Sequence, residues 1–324
     1  MSQLRPMSSF RCLAILAGVL VLGISLLPAQ TASAATTIYR LDKTSTFQRG
    51  CFPPCLCPVM ESGSERGTFV LSFDGSDGLF DHYRVDEVNW TVTLPSGEVK
   101  VTGAGTYKVG GEFAVQHQLE LDLKVGDNPV EHFDSGLVAG GGDFPRISIS
   151  ISIHGQYCFD TVIGIDAAPV PVDQVRPYRL QEQSTFQRGC SGPCACAPGS
   201  QLPLRGTFFL VLLEQDPLFT EFSVVQANWL AGSNSSSLPV TGFGTYRVGG
   251  EFAIEQRMSL DLKVGSEDPA RFDSGLVPGG GSFPRIDIQI TNGGANCVTT
   301  LIDLHAKPAR LRSARLSVPG EPLP

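Results

Sequence analysis

The segment STFQRGCFPPCLC, Ser45 to Cys57, returns as STFQRGCSGPCAC from Ser184 to Cys196. The correspondence continues without a gap: Phe47 with Phe186, Trp90 with Trp229, Tyr107 with Tyr246, Phe133 with Phe272 and Cys158 with Cys297, every pair 139 positions apart. Self-similarity at one fixed offset means one structural unit made twice. Each repeat is long enough to bury its own core, at the common domain size of about 100–150 residues. The expected organisation is a domain at 38–168, a stiff linker at 169–176 holding Pro169 and Pro171, and a second domain at 177–306.

Within each repeat, polarity alternates with the two-residue period of a strand, whose side chains point to opposite faces in turn. Ile147, Ile149, Ile151 and Ile153 are separated by serines, and Leu119, Leu121, Leu123 and Val125 by Glu120, Asp122 and Lys124. Further strands are expected over 38–47, 67–73, 83–93, 99–109 and 159–165, divided by turns such as Pro95–Gly97 and Val109–Gly111. No stretch carries a helical period with caps. The 36 glycines and 23 prolines suit a chain with many turns. The fold class is all-β: two tandem homologous domains, each an antiparallel β-sandwich or a small β-barrel. The pattern serves either.

Residues 1–34 read as a secretory signal, with Arg5 and Arg11, an apolar run from Cys12 to Leu27, and Ala32-Ser33-Ala34 as a cleavage site. That run is shorter than the ~20 residues of a membrane-spanning helix. The expected location is secreted or periplasmic, with no membrane span after cleavage, and residues 307–324 form a basic, Pro-bearing tail. The formal charge is −8, and removing the signal takes away two arginines and no acids. An acidic chain of this kind argues against nucleic acid or anionic lipid as its main partner.

Apart from Cys12, the cysteines fall four to a repeat: Cys51, Cys55, Cys57 and Cys158, then Cys190, Cys194, Cys196 and Cys297. An even set in an exported chain predicts disulfides. Three clustered thiols and a distant fourth also suit Zn²⁺ or Cu(I), but only as reduced thiolates, and the spacing lacks the paired C-x2-C of zinc ribbons. No metal or cofactor is expected. Of the three possible pairings, Cys55 with Cys57 closes a strained ring. The favoured pattern is one local bridge in the cluster and one long bridge to Cys158.

A catalytic group common to both repeats must survive in both. The histidines do not: His82, His117, His132, His154 and His305 correspond to Glu221, Gln256, Arg271, Gly293 and Asp166. This excludes a shared Ser–His or Cys–His pair. FDSG, present as Phe133–Gly136 and Phe272–Gly275, resembles the D-S/T-G signature of pepsin-like aspartic proteases. That resemblance implies Asp134 and Asp273 as two carboxylates sharing a proton. It covers four residues per repeat, and the residues around it depart from the family pattern. D-S-G is also an ordinary turn, with Asp accepting backbone N–H groups and Gly at positive φ.

The surrounding loops, VGDNPVEHFDSG and VGSEDPARFDSG, offer Asp127, Glu131 and Asp134, or Glu267, Asp268 and Asp273, as oxygen donors without a diagnostic calcium spacing. Trp90 and Trp229 are candidates for stacking on a ligand, or core aromatics. Arg146 and Arg285 are candidates for a ligand carboxylate, or salt-bridge partners of Asp134 and Asp273. The expectation is an exported, non-enzymatic protein with a binding or structural role at the envelope or outside the cell, its ligand or partner protein unidentified. The alternatives are a secreted hydrolase using Asp134 and Asp273, and a thiol-bound metal protein.

Overall fold

The structure is a computed structural model describing residues 36–58, 60–190, 199–233, 237–279, 282–293 and 298–309. The expected signal, Cys194, Cys196, Cys297 and the tail beyond residue 309 lie outside the described residues.

The first repeat forms β1 (Thr36–Leu41), β2 (Thr46–Phe52), β3 (Met60–Ser76), β4 (Phe80–Leu94), β5 (Gly97–Gly110), β6 (Gln116–Val125), β7 (Val130–Asp134), β8 (Val138–Ala139), β9 (Ile147–Ser152) and β10 (Cys158–Pro169). A 3-10 turn, Val172–Gln174, leads to the second set. It comprises β11 (Val175–Leu180), β12 (Thr185–Cys190), β13 (Gln201–Gln215), β14 (Phe219–Ala231), β15 (Leu238–Gly249), β16 (Glu255–Val264), β17 (Ala270–Asp273), β18 (Val277–Pro278), β19 (Ile286–Thr291) and β20 (Val298–Pro308).

Each set makes one ten-stranded antiparallel sheet, and each sheet closes on itself. In the first, β2 to β7 follow as neighbours, β7 meets β9 at Asp134 and Ser152, and β9 pairs with β10, which returns to β2. β1 and β2 occupy one stave in succession between β3 and β10, and β7 and β8 share another along β6. Ten strands therefore make eight staves. The second sheet closes in the same way, its last seam at Asp273 and Thr291. The choice between sandwich and barrel is settled by these pairings in favour of the barrel.

An eight-stranded barrel is just wide enough for side chains to fill. Tyr39, Phe47, Phe69, Trp90, Tyr107 and Phe133 fill the first interior, and Tyr178, Phe186, Phe208, Trp229, Tyr246 and Phe272 the second. The aromatic geometry repeats, Phe69 and Trp90 lying edge to face at 6.2 Å and Phe208 and Trp229 at 6.2 Å. Outward positions such as Glu120, Asp122, Lys124, Ser148 and Ser150 are polar. This polarity is the inverse of a barrel embedded in lipid, which is apolar outside and polar within.

Two elements differ from expectation. The strand expected over 38–47 breaks at a turn before Ser45. The buried Ser45 hydroxyl donates to Asp166 O at 2.9 Å and accepts from Asp166 N–H at 3.1 Å, and Ser184 does the same with His305. The Ser of STFQRGC thus pins the bend between the two halves of a stave. Residues 130–134, expected as acidic loop, are the closing strand β7, because Phe133 is needed inside and turns its neighbours outward.

Candidate functional site

The FDSG aspartates belong to different barrels and share no partner. Asp134 Oδ1 accepts from Gly136 N–H at 2.7 Å and from Gln118 at 3.0 Å. The Ser135 hydroxyl accepts from Leu119 N–H at 3.0 Å and donates to Gly136 O at 2.7 Å, with Gly136 at φ 61°. In the second repeat Gly275 N–H bonds Asp273 at 2.6 Å, and Ser274 engages Met258 N–H at 3.0 Å and Gly275 O at 2.6 Å. Burial raises the Asp273 pKa, but Arg257, Ser259 and the Gly275 N–H outweigh it and hold the carboxyl below the usual range. Two carboxylates sharing a proton need contact. Here each is the first residue of a turn that leaves the barrel seam.

The arginines also find other partners: Arg146 pairs with Asp42 at 2.6 Å and Arg285 with Asp287 at 2.7 Å, not with Asp134 and Asp273. Trp90 and Trp229 are each 1% exposed inside their barrels, so neither offers a stacking face at the surface. Cys51 is bonded to Cys57 and Cys55 to Cys158, one local bridge and one long one, with Cα separations of 5.6 and 4.9 Å. All four sulfurs of the first repeat are consumed, which removes them as thiolate ligands. Cys190 is disulfide-bonded as well. Among the described residues, no group of three or more His, Cys, Asp or Glu is arranged to hold a metal ion.

The concave polar surface instead lies between the barrels, where β3 to β5 face β13 to β16. Ile38 and Val70, Val170 and Val175, and Val211 and Val225 form a separate apolar cluster at this junction. Around it runs a polar network. Thr68 and Ser223 hydroxyls meet at 2.6 Å, and the Asn89 amide donates to Ser223 at 2.9 Å and to Gly244 O at 2.6 Å. Arg40 donates to Leu212 O at 3.1 Å. Arg66 reaches Glu98 at 2.7 Å, Glu221 at 3.0 Å and Glu214 at 3.4 Å. Burial opposes the charge on Arg66, but Glu98 and Glu221 more than offset it and raise its pKa.

Two adjoining recesses of about 750 and 700 Å³ open beside this junction and share Thr102, Lys124, Asp261 and Pro269. Glu87 lines one and accepts from Gln226 N–H at 2.8 Å; burial pushes its carboxyl up to about 7. Lys100 lines the other and donates to Asn89; burial pulls its ammonium down to about 8. An acid and a base are thereby brought near neutrality in one cleft.

Neither residue stands out in the sequence, because neither is kept in both repeats. Their counterparts are Gln226 and Pro239. Divergence marks these two positions, whereas Thr102, Lys124 and Asp261 of the same cleft keep their residue type at Thr241, Lys263 and Asp122.

Fold and cleft together define an all-β protein of two filled antiparallel barrels packed side by side. No protein-family model matches the chain, and no curated protein matches it. Among solved structures, a "putative outer membrane protein" of Bacteroides fragilis aligns at 8% identity over 84% of this chain and 97% of its own, with a TM-score of 0.20. A likeness that distant carries no statement about this chain.

Proposed function

We propose that the chain is an exported binding protein, acting outside the cytosol, whose ligand site is the cleft between its barrels. The observation that carries this reading is the cleft lining. Glu87 and Lys100, displaced to about 7 and about 8, sit beside Lys124, Asp261 and Arg271 in recesses of about 700 and 750 Å³. Titratable groups shifted toward neutrality in a concave site mark functional surfaces. Packed barrel interiors direct attention to the cleft, and bridged cysteines suit an oxidising compartment. Interspersed acids and bases suit a small ligand bearing both signs of charge.

The test is a thermal-unfolding screen of the full chain against free amino acids, with a neutral disaccharide as control. A ligand at a hundredfold excess over its Kd stabilises by about 2.7 kcal/mol. The expected result is a rise in Tm with at least one amino acid that disappears in Lys124→Ala and Asp261→Ala. No shift with any of them, or an equal shift with the disaccharide, overturns the reading.

A further inference from the structure

The junction between the barrels is not reciprocal, and this leaves one half of it unused on each repeat. At its centre Glu87 meets Gln226, its own counterpart. Away from that point the symmetry fails. Arg66, Thr68 and Asn89 of the first repeat engage Glu214, Glu221, Ser223 and Gly244 of the second. Their counterparts in the second repeat are Arg205, Thr207 and Asn228, and Asn89 is 2% exposed whereas Asn228 and Arg205 lie at the surface. Arg205, Thr207 and Asn228 line a recess of about 730 Å³ with Arg179 and Lys307, its three cations set against one acid, Glu182. This basic recess belongs to a chain of formal charge −8.

The complementary half is open on the first repeat. The counterparts of Glu214, Glu221, Ser223 and Gly244 are Gly75, His82, Arg84 and Gly105. Gly75 and His82 line a second recess, of about 460 Å³, that carries Asp74, Asp77 and Glu120 against one cation, Lys108. When one patch meets a different patch, the same contact can be made again by another molecule, closing a ring or extending a chain. We propose that the Arg179–Arg205–Lys307 face of the second repeat docks head to tail on the Asp74–Glu120 face of the first repeat of a second molecule. Opposite charge supplies the attraction, three cations on one face meeting three carboxylates on the other.

Sedimentation velocity of the full chain at about 0.01 M salt, where the Debye length is about 30 Å, tests this against 1 M salt, where it is about 3 Å. The expected result is self-association at low salt and its loss at high salt. Arg205→Glu and Asp74→Lys, both surface changes, are each expected to be monomeric alone. Mixed, they retain one intact pair of faces between them, so a 1:1 heterodimer that grows no further is expected. A monomeric wild type, an Arg205→Glu variant that associates unchanged, or a mixture that stays monomeric overturns the proposal. So does a monomeric wild type that binds heparin through Arg205, which assigns the face to a polyanion.

Discussion

Glu65 stands where the second repeat has Leu204, and both point into a barrel. Glu65 is 2% exposed and neither carboxylate oxygen has a partner, so burial holds its pKa well above the usual range. A raised native pKa means the native state favours the neutral acid. Stability is therefore full below the unfolded value, about 4.3, and is lost as pH rises toward the native one. Glu65→Leu is expected to gain ~1–3 kcal/mol at pH 8 and little at pH 4, read from urea unfolding at both. An unchanged pH profile in the variant rules this account out. Gly206 is constrained in the opposite sense. At φ +148° a Cβ there would lie 2.9 Å from Trp229 Cδ1, and Gly67 is held against Trp90 in the same way. Gly206→Ala is expected to lose ~2 kcal/mol or more in the same assay. The repeated Gly and Trp were visible in the sequence, but not that each is the reason for the other.

At the scale of the element, the repeated motifs are fasteners of strands. Ser135→Ala removes the acceptor of Leu119 N–H, and Ser274→Ala that of Met258 N–H, in matching geometry. Each is expected to cost ~1 kcal/mol, equal within error, and a large inequality would separate the roles of the two turns. The disulfides differ more. Cys55–Cys158 closes a separation of 103 residues and Cys51–Cys57 one of 6. Loop entropy predicts about 4–5 kcal/mol for the first and about 2 kcal/mol for the second. Pairwise Cys→Ser variants under denaturation check the order. Strand boundaries were legible where polarity alternates, as at Ile147–Ser152. The closing strand was missed because five residues carrying three acids or histidines around one Phe read locally as a loop.

For the whole molecule, the junction between barrels decides behaviour that neither barrel has alone. Burial at the junction lifts Glu87 to about 7, with the Gln226 N–H opposing. By the same sign, its contribution is complete below about pH 4.3 and declines up to about pH 7. Glu87→Gln, which copies Gln226, is expected to flatten the Tm profile across that window. A profile that keeps its slope would place the titration elsewhere.

The sequence by itself determined the duplication, the all-β class, the buried face of the regular strands and the bridging of the four cysteines of the first repeat. Each follows from local spacing or from counting. Only the tertiary structure decided that each sheet closes into a barrel, that FDSG is a seam turn, and that Glu87 and Lys100 face one cleft. Alternation tells which side of a strand is buried but not which strand lies beside it. A polar residue on an outer face looks solvated until a second barrel, brought there by long-range packing, takes its water away.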